Sequence, residues 1–554
     1  MKKIPYGISD YETLITEDYC YVDKTMYLEK LENAGYTLKF LRPRRFGKTL
    51  FTSMMQYYYD INSRTKFDIL FKDTYVYNNP TVSKNNYYVL KFDFSGMTYT
   101  NDIESIKEQF NKKVYNSLYN FSNKYNLNID IDYCSFPNIM LADLLTKFGT
   151  LKKENKIYII IDEYDDFTNG VLKDDNKIFK DILGENGFVR SFYSIIKEYS
   201  GSVIDRTFIT GVCSISLDSM SSGFNISSNI SNKLGFNSML GLTHEEVKEL
   251  IKDIEKKEEI FNILETNYDG YLFNEEEETR VFNSNLVMYF LKEYYEANKV
   301  PNKLFDSNIV SSYEKIKNII MLNNNNFYKE ILDSLFYERS ITGKLKDYFN
   351  LNSIINKHDI ISLLYYFGYI TIEEKIDSIS YKFKIPNKMM ELVYNEYYLS
   401  IITNSYENDK FIYAVKDLKD KGSINLICNY VSDIIKNADN KIYTTFNERS
   451  VQLIFYSLLA KYNEFDTYFE YQIKDKYIDL MIFKKKDKSS YDVMIEFKYI
   501  KKKDYNKGLL NRFKSDGIEQ LKEYDNLLEI DKSNLRKYIV IYVGSDVKVM
   551  EEVL

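Results

Sequence analysis

The chain has 554 residues, of which 44% are hydrophobic and 28% charged, and it carries a net charge of −7. That balance excludes a disordered chain and a global basic field for nucleic acid, and the length exceeds what one hydrophobic core supports, so three domains are expected. No run reaches the ~20 apolar residues of a membrane helix, and Met1-Lys2-Lys3-Ile4-Pro5-Tyr6 does not lead into a signal-peptide core; a cytoplasmic protein with no membrane partner is expected, a nuclear one being left open.

The four cysteines, Cys20, Cys134, Cys213 and Cys428, form no C-x-x-C, and the two histidines are His244 and His358. A zinc site, a disulfide frame and histidine-based catalysis are therefore not expected.

Taken in chain order, the segment after Lys24 reads as a helix leading into an apolar strand, Tyr36 to Leu41. Arg42-Pro43-Arg44-Arg45-Phe46-Gly47-Lys48-Thr49 follows, and then a run without Pro or Gly, Leu50 to Tyr59, that reads as a helix. Strand, tight loop and Gly-Lys-Thr at a helix start form the P-loop arrangement. Free N–H groups of the loop, Arg44, Arg45, Phe46 and Gly47 included, and the positive helix end favour a polyphosphate. Lys48 can reach the β- and γ-phosphates, and the Thr49 hydroxyl can sit on Mg²⁺. The pattern's first Gly is replaced by Arg42, and Gly-Lys-Thr alone also fits a basic loop before a surface helix.

Tyr87 to Phe94 reads as a strand and Ile103 to Tyr125 as a helix. Lys156 to Ile161 is an apolar strand ending in Asp162 and Glu163, the form of a Walker B segment. Asp162 would hold Mg²⁺ and Glu163 would polarise an attacking water. A helix at Phe188 to Tyr199 and a strand at Arg206 to Val212 complete an alternation that predicts a parallel sheet with nucleotide at its C-terminal edge. Thr210, near the end of that strand, fits a γ-phosphate or water contact and a plain strand-ending residue equally. Arg44, Arg45, Arg190 and Arg206 are candidate charge stabilisers.

These segments, with Ile4-Pro5-Tyr6-Gly7-Ile8-Ser9-Asp10, Tyr21-Val22-Asp23-Lys24-Thr25, Ile161-Asp162-Glu163-Tyr164-Asp165 and Phe208-Ile209-Thr210-Gly211-Val212, resemble the AAA-ATPase-like family found beside a C-terminal PD-(D/E)XK nuclease-like domain. The resemblance implies ATP as the nucleotide, and Arg42 looks like the family's own variant of the P-loop.

In the middle, Thr243 before Glu245 and Glu246 marks a helix start, with His244 read as a helix-terminal surface residue. Tyr268 to Phe273 and Val281-Phe282-Asn283 resemble family segments to which the sequence assigns no role. Residues 284–350 read as helical with a turn at Asn323 to Asn326. Asp359 to Tyr366 reads as a helix, Tyr369 to Ile372 and Ile379 to Ile385 as a hairpin ending at Pro386-Asn387, with a helix after. This winged-helix-like pattern is not notably basic, which favours a lid packed on the ATPase over a DNA-binding module.

Toward the C terminus, Phe411 to Lys436 and Asn447 to Tyr462 read as helices and Tyr468 to Ile473 as a short strand. Tyr477 to Phe483 and Tyr491 to Lys498, joined by the polar loop Lys484 to Ser490, read as a hairpin. Period two places Glu496 and Lys498 on one face, and Asp479 can lie beside them. Asp479 and Glu496 would hold Mg²⁺ or Mn²⁺, with the Phe497 carbonyl as a third ligand, and Lys498 would orient the water attacking a phosphodiester. An exposed face with a Glu/Lys pair is the alternative. The arrangement is similar to the PD-(D/E)XK core, with Ile478 where Pro precedes the acid. That resemblance implies Glu448 as the core's helical acidic position. It also implies a following helix at Ile518 to Tyr524, on which Gln520 and Tyr524 share a face as nuclease accessory residues, and a closing strand at Tyr538 to Gly544. Lys498 to Lys503 includes a basic run that could meet phosphate or be only solvated.

The sequence therefore predicts an α/β protein. A P-loop NTPase parallel sheet occupies 1–245, a helical and winged-helix-like region 246–400, and a restriction-endonuclease-like domain 401–554. The expected function is ATP binding and hydrolysis coupled to Mg²⁺- or Mn²⁺-dependent cleavage of nucleic acid, DNA before RNA, with self-association left open. The alternatives are a nucleotide-switched module that binds nucleic acid or protein without cutting, and an ATPase acting on protein assemblies.

Overall fold

A computed structural model describes residues 2–97, 102–133, 135–166, 187–213, 226–301, 304, 319, 327–346, 356–402, 408–437, 447–460, 462, 464–474, 476–485 and 490–553. Cys134, the turn at Asn323 to Asn326 and most of the loop between Lys484 and Ser490 lie outside them. The chain forms two compact units, one of residues 1–306 with 315–390, the other centred on 391–554.

The first unit is built on five strands, β1 (Thr37–Leu41), β2 (Tyr88–Asp93), β3 (Ile157–Asp162), β4 (Ile204–Gly211) and β5 (Ser228–Asn229), in the order β2-β3-β4-β1-β5. All neighbours are parallel. Parallel strands covered on both faces read as unbroken apolar runs, and all six residues of β3 are buried. The helices Lys48–Tyr59, Ile103–Lys124, Pro137–Thr150 and Phe188–Tyr199 supply the covering layers. Strand β4 lies between β1 and β3, so the loop after β1 and the acids ending β3 share one sheet edge with a strand between them. This is the P-loop NTPase fold.

The winged-helix-like segment belongs to this unit. The helix Lys357–Tyr366 is followed by β7 (Thr371–Lys375) and β8 (Ser380–Lys384), with β6 (Ser340–Lys344) on the far side of β8. The sequence reads 284–350 as helical, and β6 corrects that. Its five residues bury only Ile341 and Gly343, too short an alternation to stand out. The segment packs on the ATPase core. The Thr371 hydroxyl accepts from the Leu272 N–H at 2.8 Å and donates to the Leu272 carbonyl at 3.2 Å. Gly368 sits against the P-loop itself, where an added Cβ would come 2.7 Å from Pro43 Cβ.

The second unit carries a mixed sheet, β13-β12-β11-β10-β9, from β9 (Phe465–Ile473), β10 (Lys476–Lys484), β11 (Asp492–Ile500), β12 (Leu535–Val543) and β13 (Asp546–Glu552). Only the β11–β12 pair is parallel. The helix Glu448–Leu459 packs across β9, β10 and β11, and the helix Lys507–Leu527 packs on β11 and β12. The span read as one helix from Phe411 is two, Asn408–Lys421 and Asn425–Asn437. They part at Gly422, whose carbonyl accepts from the Tyr538 hydroxyl at 3.0 Å.

Candidate functional site

The loop after β1 is shaped by a buried arginine bonded to backbone carbonyls. Arg42 is 1% exposed. Its guanidinium donates to the carbonyls of Leu41, Ser231, Phe236 and Asn237 at 2.7–3.4 Å. It lies between the rings of Phe273 and Phe40, 3.9 and 4.3 Å from their centroids. Burial draws its pKa down to about 9, so carbonyl dipoles and ring faces, with no carboxylate, hold the charge. The segments without an assigned role complete the cradle. The Asn285 N–H donates to the Arg45 carbonyl at 3.1 Å, the Ser284 hydroxyl to that of Phe46 and the Asn283 amide to that of Arg44, both at 3.4 Å. The Phe46 ring meets Tyr271 and Phe273 edge-on at 5.0 and 5.5 Å. Arg42→Ala should lower the stability of the nucleotide unit by at least ~3 kcal/mol, because several buried acceptors lose their donor at once. Equilibrium denaturation measures this, and an unchanged midpoint would contradict it.

Within that frame, Lys48 is 4% exposed and its ammonium donates to the carbonyls of Arg42 and Pro43 at 3.0 and 3.1 Å. Burial lowers its pKa, while Glu163, Asp165 and Asp162 oppose the fall. Asp162 is fully buried. It accepts from the Thr52 hydroxyl through Oδ2 at 3.0 Å, and its Oδ1 has no partner. Burial raises the pKa of both Asp162 and Glu163. Glu163 takes a left-handed backbone (φ 51°), as do Arg45 (73°) and the helix-capping Gly47 (91°). Arg44 pairs with Asp166 at 3.0 Å, which joins the loop to the acidic turn after β3.

A cavity of about 280 Å³ opens here. Its lining includes Arg45, Lys48, Thr49 and Glu163 together with apolar Ile8, Leu240 and Met288. The candidates Arg44 to Thr49, Asp162 and Glu163 thus gather at one sheet edge. Thr210 does not join them. It is 1% exposed, and its hydroxyl donates to the Phe40 carbonyl at 2.9 Å, the arrangement of the strand-ending alternative. Arg206 donates to the carbonyls of Glu32 and Gly35 near the opposite end of β4.

In the second unit the β10–β11 ladder pairs Ile482 with Val493 and Leu480 with Ile495. One step further that register sets Asp479 against Glu496, and there a side chain replaces the backbone ladder: Asp479 Oδ2 accepts the Phe497 N–H at 2.7 Å. Glu496 is 2% exposed. Its Oε1 meets Lys498 Nζ at 2.6 Å, and Glu448 Oε1, on the neighbouring helix, lies 3.9 Å from the same ammonium. Glu496 Oε2 is buried without a partner. Burial and then the Asp479 charge raise the Glu496 pKa to about 8, and burial raises Asp479 and Glu448 as well. Burial draws Lys498 down, but Glu496 and Glu448 outweigh it and the net shift is upward. Both partners shift upward: burial and the neighbouring carboxylates hold the proton on Glu496, and the same carboxylates hold it on Lys498. Gln520 and Tyr524 hydrogen-bond each other, and the Tyr524 hydroxyl is raised by burial and by the charges of Glu496 and Asp479. Gln452, 3% exposed and bonded to Asp479, was not singled out from sequence. A buried amide on a helix looks there like an ordinary surface residue.

A raised folded-state pKa means that the folded site keeps a proton the unfolded chain has released. Its stabilisation is full below the ordinary value near 4.5 and is lost as pH rises through about 8. In chelator, melting of this unit should fall across that window, and Glu496→Gln should flatten the slope. A slope unaffected by the substitution would remove the assignment.

Residues 5–221 match the predicted AAA-ATPase family, and residues 446–552 match the PD-(D/E)XK nuclease superfamily. The chain is an AAA-ATPase-like protein with a C-terminal PD-(D/E)XK nuclease-like domain. A relative from Azotobacter chroococcum mcd 1, "Uncharacterized protein in vnfD 5'region", is 26% identical over 254 residues, 44% of this chain and 44% of the relative's length. A solved structure, "the walker-type atpase paby2304 of pyrococcus abyssi", is 12% identical with a TM-score of 0.37, covering 71% of this chain and 98% of that one. The two families imply use of a nucleotide and a divalent metal. The side chains of the AAA-ATPase-like protein fit that requirement in both units. Each site offers hard oxygen donors, and each holds a buried carboxylate oxygen with no partner, Asp162 Oδ1 and Glu496 Oε2.

Proposed function

We propose that the protein is a Mg²⁺-dependent ATPase acting on nucleic acid, DNA in the first instance, and that ATP turnover gates cleavage by the C-terminal domain. One observation supports this reading above the rest. In each unit a lysine, buried at Lys48 and half-buried at Lys498, lies among carboxylates of raised pKa, one of which keeps an oxygen free for a cation. Residues 1–245 would bind and hydrolyse ATP, 246–400 would close on them, and 401–554 would cut, in a cytoplasmic protein.

In the nucleotide unit the apolar lining of the cavity takes the base, the loop N–H groups and Lys48 bind the phosphates, and Glu163 accepts a proton from water. Thr49 and Asp162 would hold Mg²⁺, which would supply charge neutralisation of the phosphate oxygens. In the C-terminal unit Lys498 orients water, with Glu448 beside it, while Gln452 and the Phe497 N–H fix Asp479. Asp479 and Glu496 would hold Mg²⁺ or Mn²⁺, which would supply stabilisation of charge on the phosphodiester. Incubation of the full chain with mixed DNA and RNA, with and without ATP and Mn²⁺, tests the whole. Metal-dependent, ATP-modulated cutting is expected. Binding without cutting at every metal concentration would leave a nucleotide-switched binding module instead.

A further inference from the structure

We propose that His244, Glu265 and Asp269 form a third cation site, selective for a divalent transition metal of the Zn²⁺ class, separate from both sites above. His244 Nε2 lies 3.3 Å from Glu265 Oε1 and 3.1 Å from Asp269 Oδ2. One donor atom from each of the three falls within 4.8 Å of the others. A metal with bonds of about 2.1 Å sets neighbouring donors roughly 3.0 Å apart in an octahedron and 3.4 Å in a tetrahedron, and both contacts fall in that interval.

The ligands are held before any ion arrives. His244 opens the helix His244–Leu250, whose capping box pairs Thr243 with Glu246, and Glu246 is itself tied to Lys24 at 2.7 Å. The imidazole rests edge-on against Phe282, with centroids 5.2 Å apart. Glu265 and Asp269 stand four residues apart at the end of the helix Lys257–Tyr268, on one face. Two carboxylates and the negative end of a helix therefore converge on one ring nitrogen. A single N–H on Nε2 would be shared between the two carboxylates, whereas a metal ion there would engage the ring nitrogen and both acids together. The Asp269 side chain is 10% exposed and its Oδ1 has no partner, so a proton on Nε2 would leave that oxygen uncompensated. An imidazole with two carboxylates suits Zn²⁺ or Co²⁺ and is a poor match to Mg²⁺.

The position gives the ion a consequence. Asp269 precedes Gly270, where an added Cβ would lie 2.1 Å from the Pro386 carbonyl. Tyr271 and Phe273 follow and meet the Phe46 ring of the P-loop edge-on. Fixing Asp269 fixes the surface on which the loop is built, so occupancy should raise the melting temperature of the nucleotide unit.

The test uses chelator-stripped full chain re-equilibrated with Zn²⁺, with metal content read by elemental mass spectrometry and Co²⁺ as a spectroscopic probe. The parent should retain one more equivalent of Zn²⁺ than His244→Ala or Glu265→Gln, with affinity at that site reduced more than ~10-fold in either variant. A Co²⁺ visible band should vanish with it, Mg²⁺ should not compete, and Lys48→Ala should keep the site. Glu265 is half exposed, so its variant remains informative if His244→Ala fails to fold. Equal Zn²⁺ content and equal Co²⁺ spectra in parent and Glu265→Gln would overturn the proposal. So would a parent whose melting temperature is indifferent to Zn²⁺.

Discussion

Lys48→Ala is expected to lower ATP turnover by at least ~100-fold, the cost of removing one preorganised donor from developing charge in a water-poor site. The geometry makes the loss hard to compensate. Lys48 is the buried ammonium of the loop set against Asp162, Glu163 and Asp165, and Arg44 of the same loop is engaged by Asp166 at 3.0 Å. Arg42 cannot substitute, because its guanidinium is committed to four carbonyls. Phosphate release and nucleotide binding by calorimetry separate two roles. Lys48→Ala should weaken both, whereas Glu163→Gln should keep binding and slow hydrolysis by about 10²–10⁴. A Lys48→Ala protein that hydrolyses ATP at the parental rate would mean that the loop after β1 is not the phosphate site.

What the sequence made legible follows from physics that acts locally. β3 is buried along its whole length, so it reads as an unbroken apolar run, and the acids at its end stand out against it. Period two alone brings Glu496 and Lys498 to one face, and the hairpin register adds Asp479. The P-loop cradle was illegible because its partners are remote: the Arg42 guanidinium bonds the Ser231 carbonyl 189 positions away. Thr210 shows another limit. Sequence places it near a strand end, but whether its hydroxyl faces the cavity or the neighbouring strand depends on register, and the pairing of Phe40 with Thr210 turns it to the Phe40 carbonyl. Strands β5, of two residues, and β13, with no fully buried residue, carry too little apolar pattern to be read. Low charge favours a packed segment over a DNA-binding module for the winged-helix-like stretch, and it packs on the core through Leu272 and Pro43.

Glu496→Gln combined with Lys498→Met is expected to abolish Mn²⁺-dependent cutting, a loss of at least ~10²-fold, while ATP turnover continues. The pair has to be changed together. Glu496 and Lys498 are 2.6 Å apart and both are largely buried, so removing one partner strands the other's charge at a cost of about 3–5 kcal/mol. A single variant would then confuse unfolding with lost chemistry, whereas replacing both by neutral side chains of similar shape is close to neutral for stability. Asp479 keeps its bond from the Phe497 N–H and its contact with Gln452 in the double variant, so the sheet face persists while its charge pattern does not. Calorimetric Mn²⁺ titration supplies the control: the parent should show a binding event in this unit that the double variant lacks. Cutting that survives the double substitution would place the hydrolytic centre elsewhere. Mn²⁺ binding by a parent that never cuts, but grips nucleic acid more tightly with ATP than without, would make the ion a clamp for the phosphate backbone and turn the C-terminal sheet from a blade into a grip.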